Sequence, residues 1–214
     1  NNIKKDQTYV LYTIPKDILP YVLFPLGNYE SKDEVRKEAL AYNLSSASKP
    51  DSEDICFIPD GNYKEYLEKN SDIKAKEGNI ITKNGEILGK HTGLYKYTIG
   101  QRKGLGVSYK EPLFVIGFNV AKNELIVGKE GELYKKEFKV YDINLLAVDD
   151  IVGKLDVEVK VRYSAIPLKA TITKDENGEI LVEARDDTKF KSITPGQSAV
   201  FYDGDIVIGG GKIR

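Results

Sequence analysis

Asp156-Val157-Glu158-Val159-Lys160-Val161-Arg162-Tyr163 is a stretch in which every second residue is apolar or aromatic. Because successive side chains of a β-strand point to opposite faces, this alternation predicts a strand with one dry face and one wet face. On this pattern Arg162 points outward to water and Tyr163 lies on the dry face. The strand predicts a sheet that is buried on one side only.

Further strands surround this one in the sequence. Apolar runs at 168–173 and 180–184 flank Asn177-Gly178, and runs at 199–202 and 205–208 flank Asp203-Gly204. Both dipeptides favour the tight turns of β-hairpins. Several short strands at this spacing predict a small antiparallel β-barrel.

The residues before the barrel predict two other zones. Asn84-Gly85 lies in a hairpin pattern over 80–88, strand patterns follow at 113–120 and 125–128, and a short helix is predicted near 63–69. Nearer the N-terminus, a helix is predicted at 17–24, and a second follows the capping-box pattern that begins at Ser31.

The predicted fold class is therefore mainly β with a short helical N-terminal part. It combines a remnant of an α/β nucleotide-binding domain, a small mixed central domain and a C-terminal antiparallel β-barrel. We expect the remnant, which includes the cysteine loop, at 1–59, the central domain at 60–130 and the barrel at 131–214.

Composition excludes several classes of protein. An apolar content of 41% and a charged content of 30% are typical of a soluble globular chain, and the absence of any apolar run of roughly 20 residues predicts no contact with membrane. A single cysteine rules out an internal disulfide framework and favours the cytoplasm. The net charge of −1 argues against a uniformly basic nucleic-acid binder, although a local basic patch remains compatible with it.

Residues 87–110 form such a local patch, which we call the basic segment. It contains five Lys or Arg, five Gly and three Tyr, and it has no Asp or Glu. Basic side chains pair with phosphates, glycines allow close backbone approach, and tyrosines offer faces for unstacked bases, so the segment favours RNA contact. The alternative is a solvated, glycine-rich hairpin whose lysines only keep it soluble.

Two further residues are candidates for chemistry. Cys56 is the only cysteine and lies in an apolar run, where packing is the ordinary role of a free thiol. The carboxylates that precede it in the sequence would raise the pKa of its thiol, so a catalytic thiolate requires a nearby cation. His91, the only histidine, is expected in an exposed loop or against a phosphate, with proton transfer as the alternative.

Three motifs in order suggest a family. They are Asp51-Ser52 leading to Ile55-Cys56-Phe57-Ile58, then Thr98-Ile99-Gly100-Gln101-Arg102-Lys103-Gly104-Leu105-Gly106, and then Thr194-Pro195-Gly196-Gln197-Ser198-Ala199-Val200. With these motifs the chain resembles the tRNA-specific 2-thiouridylases over essentially its whole length.

The resemblance implies an activity and partners. Such enzymes use ATP and magnesium to adenylate the carbonyl oxygen of the wobble uridine of tRNA, and sulfur then replaces that oxygen. By motif match, Cys56 is the cysteine that carries sulfur as a persulfide, which it receives from a cysteine desulfurase or a sulfur-relay protein. The match also implies contacts to tRNA from Lys5, Asp6, Gln7, Arg162, Tyr163 and Gln197. Their charge adds Arg102 and Lys103 to the expected tRNA contacts.

The departures from the family pattern limit what this chain is expected to do alone. A phosphate loop of the Ser-Gly-Gly-x-Asp-Ser type and a second cysteine are absent from the sequence. We therefore expect a C-terminal portion that is inactive by itself and binds neither ATP nor magnesium. Two alternatives remain: a non-catalytic tRNA-binding module in which Cys56 is packed, and a docking module for a sulfur carrier.

Overall fold

The computed structural model describes residues 6–48, 58 and 62–214. Cys56 and Lys5 lie outside the described residues. Within these ranges the helices are α1 Thr8–Leu11, α2 Lys32–Ala41 and α3 Tyr63–Asn70, with 3-10 turns at Leu19–Tyr21, Leu94–Lys96 and Glu130–Leu133. The strands are β1 Gly78–Thr82, β2 Ile87–His91, β3 Phe114–Asn119, β4 Glu124–Gly128, β5 Tyr134–Lys135, β6 Glu137–Leu145, β7 Lys154–Lys160, β8 Leu168–Lys174, β9 Ile180–Ala184, β10 Phe190–Lys191, β11 Ser198–Asp203 and β12 Ile206–Ile213.

Six strands close into the predicted antiparallel barrel, in the order β11-β12-β6-β9-β8-β7. Closure pairs every strand on both sides, so the barrel has no free edge that could pair with another chain. The inward residues of β7, Val157 and Val159, are buried as their alternation predicts. They pack with fully buried side chains from the other strands, among them Ile172, Val182, Phe201 and Ile213. The mainly β fold class is confirmed.

A four-stranded sheet in the order β2-β1-β4-β3 precedes the barrel. The hairpin of β1 and β2 turns at Asn84-Gly85 as predicted, with Gly85 at a φ of +86° that suits glycine. β1 pairs in parallel with β4, while the other neighbours are antiparallel. A second core, made by Ile80, Val115, Leu125 and Val127, lies under this sheet.

The N-terminal helices follow the sequence in part. α2 begins after Ser31, whose Oγ accepts a hydrogen bond from the backbone N–H of Glu34 at 3.3 Å. The helix predicted at 17–24 is wrong, because only Leu19–Tyr21 forms a 3-10 turn. Pro20 and Pro25 each disfavour helical backbone in the residue before them. The exposed side chains of this stretch supply no packing that would compensate.

The segment around α1 docks on the outside of the barrel. Tyr12 is buried against Val200 and Tyr202 of β11. A β-carbon at Gly210 of β12 would lie 2.8 Å from Cδ2 of Tyr12 and 2.7 Å from the carbonyl oxygen of Ala199. A glycine is therefore required at position 210, because any side chain there would displace the tyrosine ring.

Polar contacts hold the same segment in place. The side-chain amide of Asn144 on β6 donates to the carbonyl oxygens of Tyr12 at 2.6 Å and Ile14 at 2.8 Å. Tyr9 donates its hydroxyl to the carbonyl oxygen of Ser198 at 2.8 Å. Burial, together with the neighbouring Tyr12 and Tyr202, raises the pKa of Tyr9 to about 12. The hydroxyl thus stays protonated and keeps donating across the ordinary pH range.

Replacing the Asn144 amide tests this attachment. Asn144→Asp keeps the shape but removes both donors and places a carboxylate against two carbonyl oxygens. We expect a loss of about 2 kcal/mol or more in the free energy of unfolding and faster hydrogen exchange of the backbone amides of α1. Asn28→Asp, the same change on an exposed turn, is the control. Equal exchange in both variants would contradict the role of Asn144.

Candidate nucleic-acid interface

Arg162 and Tyr163 lie just beyond the end of β7, and the structure reverses the faces expected for them. β7 ends at Lys160, and residues 162–165 form a turn closed by a hydrogen bond from the N–H of Ala165 to the carbonyl oxygen of Arg162 at 3.1 Å. Because the strand stops, the alternation stops with it. Arg162 is half-buried and Tyr163 is 44% exposed. The expectation that Arg162 faces water and that Tyr163 lies on the buried face of the strand is therefore wrong.

The Arg162 guanidinium binds the adjoining 192–194 segment. Its Nη2 donates to the carbonyl oxygen of Ser192 at 2.7 Å and contacts Oγ1 of Thr194 at 3.4 Å. Its Nε is buried without a hydrogen-bond partner in the described part of the chain. Since a guanidinium stays charged at all physiological pH values, this corner of the barrel carries a fixed positive charge.

The N-terminal segment reaches the same corner. The side-chain amide of Gln7 donates to the hydroxyl of Tyr163 at 2.9 Å, and the rings of Tyr9 and Tyr163 meet edge to face at 6.3 Å. Gln7 and Tyr163, which are separated by 156 positions in the sequence, are therefore neighbours in the fold. The structure brings together two of the predicted tRNA-contacting groups.

Asp6 has a local role as well as its predicted one. Its carboxylate accepts hydrogen bonds from the backbone N–H of Thr8 at 2.8 Å and from the Thr8 hydroxyl at 2.7 Å. These bonds satisfy a donor at the start of α1. Asp6 thereby holds the backbone that places Gln7 beside Tyr163.

The glycine-rich loop at 98–106 packs on this corner from the other side. Gly100 has a φ of +89°, and a β-carbon there would lie 2.8 Å from Oγ of Ser192 and 3.8 Å from Nη2 of Arg162. The N–H of Gly100 donates to the carbonyl oxygen of Val115 on β3 at 2.8 Å. Gly100 thus lets the loop approach the barrel while remaining tied to the central sheet.

The side chain of Gln101 holds the loop in shape. Its oxygen accepts from the N–H of Thr98 at 3.1 Å, and its amide donates to the carbonyl oxygen of Lys103 at 2.9 Å. Arg102 and Lys103 follow with exposed side chains. The two residues added on charge alone therefore lie on an ordered loop beside Arg162.

Ion pairing divides the basic segment into two halves. Lys90 pairs with Glu77 at 2.5 Å and Lys96 with Glu68 at 3.2 Å, so the first half is neutralised by carboxylates from outside it. Arg102, Lys103 and Lys110 form no ion pair with any residue that the structure describes. Arg102 helps to lower the pKa of Glu130 and Lys110 that of Glu111, but without a close ion pair the cations of this half, which adjoins Arg162, are less neutralised than Lys90 and Lys96.

Gln197 lies in the Thr194-Pro195-Gly196-Gln197 turn. Its N–H donates to the carbonyl oxygen of Thr194 at 3.2 Å, and its own carbonyl accepts from the N–H of Ile213 at 2.8 Å. Its side-chain oxygen is buried, with no hydrogen-bond partner among residues 6–48, 58 and 62–214. Thr194, which also contacts Arg162, links Gln197 to the same corner.

His91 does not belong to this surface. It is 1% exposed, its Nδ1 accepts from the N–H of Gly93 at 3.1 Å, and its Nε2 lies 3.1 Å from the carbonyl oxygen of Asn123. Because Nδ1 accepts, Nε2 carries the proton and donates. The expectation of an exposed or phosphate-binding histidine is wrong.

Sequence reasoning missed Ser192 and Tyr9. Ser192 is buried, adopts a φ of +57° and supplies the carbonyl oxygen that binds Arg162. No sequence signal marks a backbone oxygen, whereas Thr194 could have been found because it is the first residue of the motif at 194–200. Tyr9, which contacts Tyr163, lies two positions after Gln7 in the sequence.

The described residues contain no group of three or more His, Cys, Asp or Glu side chains that could hold a metal ion. None of the helices within residues 6–48 and 62–214 has the length and apolar character needed to cross a membrane.

Three family models match consecutive parts of the chain. Residues 1–60 match the tRNA methyl transferase HUP domain, residues 64–129 the tRNA methyl transferase PRC-barrel domain, and residues 135–213 the aminomethyltransferase beta-barrel domain. The third match covers the closed barrel, and the second covers α3 and the four-stranded sheet.

Curated relatives match the same length of chain. The tRNA-specific 2-thiouridylase of Acetivibrio thermocellus is 44% identical over 99% of this chain, and that of Clostridioides difficile is 45% identical over 99%. In both cases the chain spans 58% of the relative's length. With the three models in consecutive order, these identities show that the chain belongs to the family of tRNA-specific 2-thiouridylases.

Proposed function

We propose that this chain is the tRNA-contacting and sulfur-accepting part of an enzyme that 2-thiolates the wobble uridine of tRNA. The observation that carries the proposal is the convergence of Gln7, Arg162, Tyr163 and the 98–106 loop on one corner of the barrel. Residues far apart in sequence thereby offer one surface to one ligand. Arg102 and Lys103 give this surface a positive charge, which attracts the phosphate backbone of an RNA.

The proposed contacts divide by geometry. Arg102 and Lys103 are exposed and unpaired among the described residues, so they are available to phosphates. Arg162 already donates a hydrogen bond to the carbonyl oxygen of Ser192. It therefore positions the loop and places a positive charge beside it. Tyr163 offers a partly exposed ring, with the side-chain amide of Gln7 beside its hydroxyl. Lys5, Asp6 and Gln197 complete the proposed tRNA contacts, the first of them from outside the described residues.

Cys56 is proposed as the sulfur carrier. A persulfide donor, either a cysteine desulfurase or a sulfur-relay protein, would transfer sulfane sulfur to its thiolate, giving Cys56–S–SH and leaving the donor's thiol. A persulfide is more acidic than a thiol, so it tolerates the neighbouring carboxylates better. The terminal sulfur then goes to the activated uridine carbon, and the second cysteine of the longer enzyme takes up the remaining sulfur of Cys56 as a disulfide.

We propose that ATP and magnesium bind the longer enzyme outside this chain, since the sequence has no phosphate loop of the Ser-Gly-Gly-x-Asp-Ser type. When bound to the longer enzyme, ATP supplies the adenylyl group that turns the uridine oxygen into a leaving group. We assign no step of that activation to residues of this chain, which we expect to be inactive alone and to work in the cytoplasm.

The role of Cys56 is tested in a chimaera in which this chain replaces the matching region of the Acetivibrio thermocellus relative. With tRNA, ATP, magnesium and a persulfide source, we expect 2-thiouridine from the chimaera and none from its Cys56→Ser variant, measured by mass spectrometry. The isolated chain should give no product. A thermal unfolding midpoint unchanged in the variant would show that it folds, whereas equal product from both proteins would leave Cys56 as a packing residue.

The charge of the loop is tested by paired double variants. Arg102→Gln with Lys103→Gln should weaken tRNA binding and reduce the magnitude of the slope of log K against log salt by about 1 to 2, as measured by fluorescence anisotropy. Lys90→Gln with Lys96→Gln changes the net charge equally but removes cations that are already paired. Equal losses in both doubles would contradict a local phosphate site.

Displacement of bound tRNA by a sulfur-carrier protein would favour the docking alternative.

A further inference from the structure

Residues 102 and 104–113 line an open groove of about 480 Å³ that overlaps the 98–106 loop and has Arg102, an expected tRNA contact, at its start. We propose that this groove holds one unpaired nucleotide of the tRNA, with its base against Tyr109 and its flanking phosphates beside Arg102 and Lys110. The proposal rests on the proposed function, since it takes tRNA as the substrate. It adds a binding subsite to that function.

The lining of the groove suits a nucleobase. Leu105 and Leu113, both buried, are among the lining residues, and Val107 and Tyr109 pack against the same core. Tyr109 is half-buried, so its ring is held by packing and also faces the groove. A base that rests on a fixed aromatic ring gains stacking without ordering a mobile side chain. The volume of the groove lies in the range of small-ligand sites.

The backbone of the groove keeps its mouth open. Gly104 and Gly106 have φ values of +73° and +69°, which glycine adopts readily. A β-carbon at Gly106 would have no atom within 4 Å. This glycine is therefore required for the turn and not for packing within the chain. The space beside it is available to a ligand.

The charge of the groove suits phosphates. Arg102 and Lys110 are exposed and form no ion pair with a residue in the described ranges. Glu111, the carboxylate that lines the groove, pairs with Lys129 at 2.8 Å, which lowers the pKa of Glu111. Its negative charge is thus offset mainly by Lys129, from outside the groove, with a smaller Coulombic contribution from Lys110 within it. The remaining charges of the lining, on Arg102 and Lys110, are positive, which favours an anionic ligand.

The groove is continuous with the corner around Arg162. Arg102 follows Gly100 by two positions, a separation of at most about 7 Å along the chain. Gly100 in turn lies against Ser192 and Arg162. The groove is therefore within reach of a tRNA bound at that corner.

A second groove of about 560 Å³ on the outer wall of the barrel lacks this charge pattern. There Asp156 pairs with Arg185 at 2.6 Å and accepts a hydrogen bond from Thr171 at 2.7 Å. Two basic and two acidic side chains line it, so its formal charges cancel, and it has no aromatic lining residue. The observations favour the groove beside Tyr109.

The test measures binding of an anticodon stem–loop RNA to the chain by fluorescence anisotropy. Tyr109→Leu keeps an apolar side chain but removes the aromatic face, and we expect about tenfold weaker binding. Tyr109→Phe retains the face and should bind within about twofold of wild type, as its ring can stack in the same way. Tyr21→Leu, on an exposed tyrosine of the N-terminal part, is the control and should change nothing.

Photo-crosslinking of wild type with the same RNA carrying 5-iodouridine gives a readout that does not depend on the variants folding. We expect a crosslinked peptide that contains Tyr109. RNA binding without that crosslink, and with unchanged affinity in Tyr109→Leu, would overturn the groove and leave the proposed function intact. Absence of RNA binding by wild type would overturn both.

Discussion

The structure depends on the Arg162 guanidinium and the close approach that Gly100 permits beside it. Arg162 donates to the carbonyl oxygen of Ser192 within the barrel, and Gly100 brings the loop of the central sheet against that serine. Tyr163, the next residue, receives the amide of Gln7 from the N-terminal segment. One dipeptide thus joins three parts of the chain, and the proposed RNA surface exists because they meet.

The attachment of the N-terminal segment explains the middle one of three consecutive glycines in β12, while the glycines on either side of it are crowded by residues of β6. Tyr12 lies on Gly210, and Asn144 supplies two donors to the backbone that follows the tyrosine. Contacts of this kind fix the position of Gln7 before any ligand arrives. A surface whose parts are already in place loses less conformational entropy on binding than one assembled by the ligand.

Much of the fold could be predicted from local patterns, because strand alternation and the Asn84, Asn177 and Asp203 turns encode it directly. The faces of Arg162 and Tyr163 could not be predicted in this way. The strand ends two residues before Arg162, whereas the alternation of apolar and polar residues continues in the sequence. Family motifs named the residues of the candidate site, whereas the partners that organise them are backbone oxygens without a sequence signal. The division of the basic segment into paired and unpaired halves depends on Glu68 and Glu77, which lie outside it.

The central claim is that the N-terminal segment, the glycine-rich loop and the 162–163 turn form a single tRNA-binding surface. Hydrogen–deuterium exchange of the chain with and without tRNA, followed by mass spectrometry, tests it directly. We expect peptides from 6–12, 98–110 and 161–165 to gain protection together at one tRNA concentration, and peptides from 169–185 on the outer barrel wall to remain unchanged. Protection confined to one of the three, or located on the outer wall, would contradict a single surface.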